Sequence, residues 1–486
     1  MKTMKTKLML AAAAAAFCAA NAARGEADYA CSVDFGEKVR EIRPALHSSG
    51  WTPRTSSRFI RNDDDAIKAM RMTYTRTHDW ALVNSGQRVV DTCRVFPLMH
   101  LDPKDPKNYV FGPTDEILRL ARNLGMKICY RLGESIEHSG ETHFNVLVPD
   151  DYDKYAEVMA GIVRHYNRGW ANGHEWNIEY WNFWEEPDGL RNLWCLPGPE
   201  GKDELGMRKR FIRLFVTVMK RLKSEFPEIK FGGPALCWCK LDYFRDLILA
   251  CKEAGLKPDF LSWDCYSADP DKMVADAAEL RKLCDELGCE KTELVVAEWH
   301  YLLSWTGVHG RNATPQQVRE AKYGPSGINQ IDSACYALTV LSKFQFSELD
   351  QAYYYGCRHD GSWGYMDDDK FFNKPYHALV SFGGIVGDHR DLCRTASDAK
   401  SVTALAARSA DGSRKTLLVT DYRGNGRTFE IAVKGVDPTC AVRARRLDHE
   451  HAEWTPVRAD WKDGRLSLRK ESAGSAAFEV TFGDSN

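Results

Sequence analysis

The chain has 486 residues, which suits one large barrel domain with a smaller second domain, or two to three ordinary domains. Its formal net charge is −2, which excludes the strongly basic character of proteins that bind nucleic acid or anionic membrane surfaces. Hydrophobic residues make up 44% of the chain and allow a large core. The 14 Trp and 19 Tyr mostly suit that core, but rings with a polar edge also suit sugar-binding clefts.

The N-terminus has the pattern of an export signal. Lysines within the first seven residues form a basic head, and the apolar stretch Leu8–Ala20 is too short to span a bilayer. Small residues at Ala20 and Ala22 suit a signal peptidase. We therefore predict a signal peptide over residues 1–22 and a secreted or periplasmic protein, and no later run predicts a membrane span.

From about Val39 to Val386, short apolar runs alternate with longer amphipathic stretches, as in a parallel sheet with helical crossovers. Eight such units favour a closed (β/α)₈ barrel, and we assign residues 23–386 to it. The predicted strands are Arg43–Leu46, Met72–His78, Met126–Glu134, Ile178–Trp184, Ile229–Leu236, Asp259–Tyr266, Glu293–Tyr301 and Gln351–Arg358. Helical patterns between them include Asp151–Tyr166, Glu204–Glu225, Lys272–Leu287 and Asn329–Phe344.

After Gly387 the helical patterns give way to short β-type runs such as "KTLLVTDY" and "TFEIAVK", separated by turn signals. Residues 387–486 are predicted to form an all-β domain of sandwich type. No glycine-rich phosphate fingerprint follows any strand, so no nucleotide or other cofactor is expected. The 15 cysteines are scattered, lack zinc-ligand spacing and leave the disulfide pattern open.

In a (β/α)₈ barrel, functional residues lie where strands end and loops begin. Acids concentrate after the fourth strand, at Glu185 and Glu186, and on the seventh, at Glu298. No serine elbow and no clustered acid-and-histidine pattern suggests a triad or a metal site. Two carboxylates facing one pocket are the groups that cleave a glycosidic bond. The other polar or aromatic strand-end residues are Arg76, His78, Asp79, Asp264, Tyr266, Trp299, His300, Arg358, His359, Asp360 and Trp363.

The stretches "WEEPDG" and "VVAEWH" look like the paired signatures of the retaining clan A glycoside hydrolases. Within that clan the chain most resembles glycoside hydrolase family 39, which includes β-xylosidases and α-L-iduronidases. The stretches "TRTHDW", "LGMKICYRLGE", "FGGPAL" and "DFLSWDCY" support the resemblance in the expected order. It covers roughly Arg43 to Val386, and a trailing β-domain is usual in that family.

The resemblance implies a role for each matching residue. Glu186 falls on the acid/base position and Glu298 on the nucleophile position. Tyr266 matches a tyrosine that holds the nucleophile, and Arg76 matches an arginine that favours its ionised form. A retaining enzyme of this kind holds its two carboxyl groups about 5–5.5 Å apart.

Two positions depart from the family. Glu185 stands where the family normally has an Asn that donates to the sugar's 2-hydroxyl, whereas an ionised Glu only accepts. Asp264 stands where the family tends to have His. Three interpretations remain open: a sugar whose 2-position presents a donor, a protonated Glu185, or a catalytically weakened glycan-binding protein. Regular strand alternation would also turn Glu185 away from Glu186.

The remaining substrate-binding candidates surround this acid pair. His78 and His300 suit sugar hydroxyls, Trp299 and Trp363 suit stacking on a sugar ring, and Arg358 suits the carboxylate of a uronic acid. The sequence thus predicts an exported retaining glycoside hydrolase that acts exo-wise on β-xyloside-like or related oligosaccharides. An α-L-iduronidase-like enzyme, an endo-acting glycanase and a non-catalytic binder of glycans remain alternatives.

Overall fold

The computed structural model describes residues 27–50, 64–78, 80, 89–135, 149–189, 204–308, 312–357, 361–369 and 371–483. The predicted signal peptide lies outside these residues, as do Asp79, Arg358, His359 and Asp360. Among the residues described, no helix combines the length and apolar character needed to cross a bilayer.

Eight parallel strands close into a barrel in chain order, as predicted. The first strand of the described residues is β1 (Tyr29–Glu41), which belongs to a second sheet. The barrel strands are β2 (Ser48–Ser49), β3 (Tyr74–Arg76), β4 (Lys127–Leu132), β5 (Tyr180–Phe183), β6 (Lys230–Leu236), β7 (Phe260–Ser267), β8 (Glu293–Tyr301) and β9 (Gln351–Tyr354).

The first barrel strand lies later in the chain than predicted. Residues Pro44–Leu46 form a 3₁₀ turn, and the strand is the two-residue segment that follows it. Proline has no backbone N–H to donate to a ladder, which explains why pairing begins only after the turn. Ser49 then pairs with Thr75 on one side and Tyr354 on the other, which closes the barrel.

Side chains from the amino-terminal parts of the strands fill the barrel interior. This core consists of Tyr74, Cys129, Tyr180, Phe260, Val295 and Tyr353, all buried. Tyr74 and Tyr180 meet edge to face with ring centroids 5.6 Å apart. The packed end leaves the carboxyl ends of the strands as the place where polar side chains can meet.

The helices begin and end close to the predicted patterns. Local signals explain some of the ends: Asp151 accepts from the amide of Lys154 at the start of one helix, and Gly169 ends it with φ 65°. The helices are α1 (Asp64–Ala69), α2 (Thr92–Val95), α3 (Gly112–Asn123), α4 (Tyr152–Arg168), α5 (Glu204–Glu225), α6 (Leu241–Glu253), α7 (Lys272–Glu286), α8 (Pro315–Tyr323), α9 (Ile331–Phe344) and α10 (Lys374–Asp388).

The second sheet has ten strands in the order β15-β14-β18-β12-β11-β10-β1-β13-β17-β16. Its later strands are β10 (Asp391–Ser397), β11 (Val402–Arg408), β12 (Lys415–Asp421), β13 (Thr428–Lys434), β14 (Ala441–Leu447), β15 (Thr455–Val457), β16 (Asp460–Lys462), β17 (Arg465–Arg469) and β18 (Ala476–Gly483). Phe429 of β13 meets Phe478 of β18 at 5.4 Å, although four strands separate β13 from β18. The sheet therefore folds over a shared core, as a sandwich does.

The N-terminal strand was not predicted in this sheet. β1 pairs with β10 and β13, and its alternate residues Tyr29, Cys31, Val33 and Phe35 are buried in the sheet's core. The chain's contacts separate two compact units, one of residues 44–300 and 346–364, and one of the segments to Arg43, 301–345 and 365 onwards. The second unit thus includes α8–α10, because α9 packs on β11, β12 and β18. The structure therefore differs from the predicted boundary at residue 387.

Candidate active site

The segment with two adjacent glutamates departs from strand geometry. Trp184, the first residue after β5, and Glu186 have positive φ angles of 77° and 38°. Their amides still donate across the barrel edge, from Trp184 to Leu132 O at 2.8 Å and from Glu186 to Ala235 O at 2.9 Å. Left-handed backbone is unfavourable for residues with a side chain, so these bonds help to hold the bend. Regular alternation therefore does not decide where Glu185 points.

A glycine on the neighbouring strand end makes room for this bend. Gly133 has φ 98°, and a Cβ there would lie 2.6 Å from the ring of Trp184. Trp184 is buried against Phe211 and Tyr155, with ring centroids 6.2 and 6.4 Å away. Trp184 therefore has a packing role in this bend.

Arg76, the last residue of β3, joins two of the carboxylates. Its Nη2 donates a short hydrogen bond to Glu185 Oε2, and its Nη1 donates to Glu298 Oε1 at 3.3 Å. All three side chains are buried, where a guanidinium offsets the cost of placing carboxylates away from water. Glu185 therefore points towards Glu298, which the sequence left undecided.

Glu298 accepts a second hydrogen bond from Tyr266 on β7. The Tyr266 hydroxyl donates to Glu298 Oε2 at 2.6 Å, so each oxygen of this carboxylate has a donor. Donors aimed at a carboxylate favour its ionised form. Arg76 and Tyr266 therefore make the contacts with Glu298 that the family resemblance leads us to expect, and their roles stay predictions.

His78 also lies between the two carboxylates. Its Nδ1 is 3.3 Å from Glu185 Oε2 and its Nε2 is 3.6 Å from Glu298 Oε1. One ligand-type atom from each of the three residues falls within 4.8 Å of the others, a spacing that metals can use. Here the guanidinium of Arg76 is bonded to both acids and supplies the positive charge.

The ends of β8 and β9 add a histidine and an aromatic wall. Tyr354 Oη and His300 Nε2 are 2.6 Å apart. The His300 ring lies 5.2 Å from Trp363, and Trp363 lies 5.2 Å from Tyr266. Trp363 therefore sits beside the residue that holds Glu298, where a sugar ring would stack.

Asp264 is the least compensated acid of the group. It lies on β7 two residues before Tyr266, is fully buried, and neither carboxylate oxygen has a hydrogen-bond partner among the described residues. Burial raises its pKa well above the usual value, and the charges of Glu298 and Glu185 raise it further. Arg76 only partly opposes this rise.

Glu186 has the electrostatic character of a general acid. Burial, followed by the charge of Glu185, raises the pKa of its carboxyl to about 7. The thiol of Cys237 and the guanidinium of Arg76 act in the opposite direction but do not cancel the rise. A carboxyl with a pKa near neutrality can hold a proton until a leaving group needs it.

Glu298 is electrostatically linked to both glutamates of the β5 segment. Burial and then Glu185 raise its pKa, and Glu186 adds to the rise, while Arg76 and Tyr266 oppose it. Glu298 therefore senses the charge of Glu186, the carboxyl group predicted to act with it. Since Glu298 accepts from both an arginine and a tyrosine, Glu298 is the candidate for the ionised member of the pair.

The structure brings together most of the predicted site residues, namely Arg76, His78, Glu185, Glu186, Asp264, Tyr266, Glu298, His300 and Trp363. Trp299 is different, because it is completely buried and meets Tyr354 edge to face at 5.0 Å. Its neighbours Glu298 and His300 point to the site, and alternation along β8 turns Trp299 into the packed layer. Arg358 lies outside the described residues.

Tyr354 and Tyr355 were missed as site residues. The ring of Tyr355 lies 5.9 Å from His78 and 6.0 Å from both Tyr266 and Trp363. The predicted strand extended to Arg358, whereas β9 ends at Tyr354. The strand-end rule would have selected both tyrosines if the strand had been predicted to end in the "YYYG" run.

The sequence model of a known family matches part of the barrel. Residues 55–286 match the sequence model described as Glycosyl hydrolases family 39. A β-xylosidase of Geobacillus stearothermophilus is 29% identical over 126 residues, which are 26% of this chain and 22% of that protein. The chain thus matches about a fifth of the length of this curated relative.

Solved structures with a similar fold cover almost the whole chain. A glucosidase from Croceicoccus marinus has a TM-score of 0.73 at 20% identity, over 95% of this chain and all of that one. A monomeric β-xylosidase from Caulobacter crescentus has a TM-score of 0.61 at 14% identity, over 94% of this chain and all of that one. At these identities the likeness shows the fold, a barrel of this type with an accompanying β-domain.

Proposed function

We propose that this chain is a member of glycoside hydrolase family 39 and cleaves glycosidic bonds with retention, by double displacement; the match of residues 55–286 to the family's sequence model supports the assignment. The proposal rests on one observation: the carboxyl groups of Glu186 and Glu298 lie in different electrostatic environments. Glu298 accepts hydrogen bonds from Arg76 and Tyr266, while the pKa of Glu186 is raised to about 7. Two acids whose environments differ in this way suit a nucleophile and a proton donor.

In the first step an oxygen of Glu298 attacks the anomeric carbon and forms a glycosyl ester. The bond from that carbon to the leaving oxygen breaks, and Glu186 transfers its proton to that oxygen. Esterification removes the negative charge of Glu298, a group that interacts electrostatically with Glu186. With one carboxylate fewer in the site, the pKa of Glu186 should fall, so that Glu186 becomes able to act as a base.

In the second step water attacks the same carbon. Glu186 removes a proton from the water, the ester bond to Glu298 breaks, and the sugar leaves with its original anomeric configuration. Arg76 and Tyr266 then again donate to the released carboxylate of Glu298. Neither step needs a metal or a redox partner to balance.

Glu185 suggests how the sugar is held next to the nucleophile. Its Oε2 is bonded to Arg76, while its buried Oε1 has no hydrogen-bond partner among the described residues. A hydroxyl on the sugar's 2-position can donate to Oε1, the reverse of the contact made by an amide. Glu185 can therefore bind the sugar in an active enzyme, as an acceptor in the place where the family has a donor.

The proposed substrate is a β-xyloside-like unit at the end of an oligosaccharide. The names of the Geobacillus and Caulobacter relatives, both β-xylosidases, support this class. Export is also part of the proposal, on the signal-like residues 1–22. An α-L-iduronidase-like activity would require a cation for the substrate's carboxylate, for which Arg358 is the sequence candidate.

A panel of aryl glycosides tests the function directly. We expect hydrolysis of at least one β-linked pentoside, with the β-anomer of the product appearing first by NMR. A matching 2-fluoro glycoside should trap the ester, and peptide mass spectrometry should find the label on Glu298. Inversion of configuration, or a label on another residue, would overturn the double-displacement assignment.

Variants on one strand provide a matched control. Glu298→Ala should lower kcat by about 10⁴-fold or more, as expected when the nucleophile is lost. Glu293→Gln, at the opposite end of β8, should retain activity because the Glu293 side chain bonds to Tyr180 and Lys230 there. A wild-type protein that binds glycans but is inert on the whole panel would support the non-catalytic alternative.

A further inference from the structure

A second cluster of ligand-type side chains lies away from the acid pair. It consists of Asp115 on α3, His165 on α4 and His174 in the loop after α4. One donor atom of each lies within 4.8 Å of the others. Fifty residues separate the acid from the first histidine, so no spacing pattern in the sequence predicts the cluster.

The hydrogen-bond partners of His165 leave its second ring nitrogen facing a carboxylate. His165 Nδ1 lies 3.0 Å from the carbonyl oxygen of Trp170, which can only accept, so Nδ1 carries a proton. In neutral His165 the other nitrogen, Nε2, is then a lone pair, yet it faces Asp115 Oδ1 at 3.0 Å. Two acceptors at this distance repel unless a proton or a metal ion lies between them.

His174 adds a third group to the same point. Its Nε2 is buried, lies 3.5 Å from Asp115 Oδ1 and has no hydrogen-bond partner among the described residues. A buried ring nitrogen without a partner is unfavourable in a finished hydrogen-bond network. Two imidazole nitrogens and one carboxylate oxygen therefore lie close together, and too few hydrogen-bond donors among the described residues satisfy them.

The spacing fits a tetrahedral metal ion. Zinc bonds of about 2.0–2.2 Å to nitrogen and oxygen place neighbouring ligand atoms about 3.3–3.5 Å apart. The distances of 3.0 and 3.5 Å from Asp115 Oδ1 to the two imidazole nitrogens bracket this value. The contact of His165 with the Trp170 carbonyl is the kind that orients a metal-bound imidazole.

Packing holds both rings in their orientation. His165 stacks on Phe111 with ring centroids 3.5 Å apart and planes 4° apart. His174 stacks on Trp176 at 3.9 Å and 5°. Rings fixed in this way lose little freedom when they bind an ion.

The loop that carries His174 passes so close to His165 that residue 173 must be a glycine. A Cβ on Gly173 would lie 2.1 Å from the carbonyl oxygen of His165 and 2.6 Å from its Nδ1. The amide of His174 donates to the same carbonyl at 2.6 Å. The close approach brings the second histidine to the first.

We propose that Asp115, His165 and His174 bind a divalent transition metal ion, with zinc as the best match for two imidazoles and one carboxylate. Asp115 and His174 each keep about a fifth of the side chain exposed, which allows water to take the fourth position. The exposed Arg119, one turn along α3 from Asp115, opposes the ion electrostatically. The ion links α3 to the end of α4 and its following loop, so its expected role is structural.

The test is zinc binding to the purified full chain after chelator treatment and gel filtration. Isothermal titration with zinc chloride, together with elemental analysis, should give one more equivalent of tightly bound zinc in the wild type than in His174→Ala. Asp115→Asn should lose the same equivalent. His165 is buried against Phe111, so its replacement is avoided because folding itself could fail.

His451→Ala is the matched control. His451 pairs with Asp448 at 2.7 Å but belongs to no three-ligand group among the described residues. It should bind as much zinc as the wild type, whereas the affinity of His174→Ala for zinc should fall at least tenfold. Cobalt should give visible absorption bands of a tetrahedral site in the wild type and not in His174→Ala. Equal zinc binding by the wild type and His174→Ala, or none by the wild type, would show an imidazolium–carboxylate pair instead.

Discussion

Two fully buried aspartates, one in each unit of the chain, have opposite surroundings. Asp421, at the end of β12 in the ten-stranded sheet, accepts a short hydrogen bond from Lys470. Lys470 also donates to the carbonyls of Gly424 at 3.1 Å and Gly474 at 2.7 Å. The buried charges are paired one to one, and the lysine's remaining protons have acceptors.

Asp264 in the barrel has no such partner. Four acids (Glu185, Glu186, Asp264 and Glu298) share the charge of one arginine, and both oxygens of Asp264 lack a hydrogen-bond partner among the described residues. Burial lowers the pKa of Arg76, but Glu185, Glu298 and Asp264 more than offset this effect, and the net pKa is raised. The contrast indicates that buried charge is compensated where it supports the fold and left in excess at the proposed active site.

The strongest way to test this contrast is to remove the cation from each region. Arg76→Met should lower kcat by about 10²–10³-fold, because Glu298 loses a donor that favours its ionised form. It should also lower the free energy of unfolding by about 3–5 kcal/mol, since two buried carboxylates lose their partner. Enzyme kinetics and denaturant unfolding measure the two effects.

Lys470→Met is the counterpart in the sheet. It should also lower the free energy of unfolding by about 3–5 kcal/mol, because Asp421 becomes an unpaired buried charge. Per folded molecule, however, kcat should remain that of the wild type. A large loss of kcat in Lys470→Met, with folding intact, would contradict the separation of roles.

Replacing each aspartate by asparagine should have opposite effects on stability. Asp421→Asn breaks a buried ion pair and should lower the free energy of unfolding by about 3–5 kcal/mol. Asp264→Asn removes an acid whose charge is disfavoured by burial and by the neighbouring acids. This replacement should raise the free energy of unfolding by about 1 kcal/mol. Thermal and denaturant unfolding at pH 7 check both signs; destabilisation by both variants would mean that Asp264 is compensated after all.

The contact proposed for Glu185 predicts a smaller effect. A 2-deoxy substrate should lower kcat/KM of the wild type by about 10–100-fold, the loss of one hydrogen bond to a charged group. In Glu185→Gln the same deletion should cost much less. The four kcat/KM values form a double-mutant cycle, and additive effects would place Glu185 away from the 2-position.

The last expected effect needs no substitution and is the pH dependence of the wild type. The pKa of Glu186 is raised to about 7, so the proton that the leaving group needs is present below that pH and lost above it. The value of kcat/KM should therefore fall about tenfold per pH unit above pH 7. Glu186→Gln, assayed with an aryl glycoside whose leaving group needs no protonation, should lose this alkaline limb. A wild-type profile that is flat to pH 9 would rule out Glu186 as the acid.

The barrel and most of its elements could be predicted from the chain because hydrophobic periodicity is a local signal. β8 has the predicted bounds, and α5 ends where its pattern ends. The N-terminal strand β1 was missed because its partners, β10 and β13, lie more than 350 residues later. Nothing within Tyr29–Glu41 alone indicates which sheet it joins.

The sequence by itself determined which residue types stand at the strand ends. From them it predicted that Glu186 and Glu298 act as a pair of carboxyl groups in glycosidic bond cleavage. It did not determine the direction of Glu185, which depends on the bend at Trp184 and on Arg76 from another strand. Only the tertiary structure decided that Trp299 is packed, and that Asp115 meets two distant histidines. Such features depend on contacts between residues far apart in the chain, for which local patterns carry no signal.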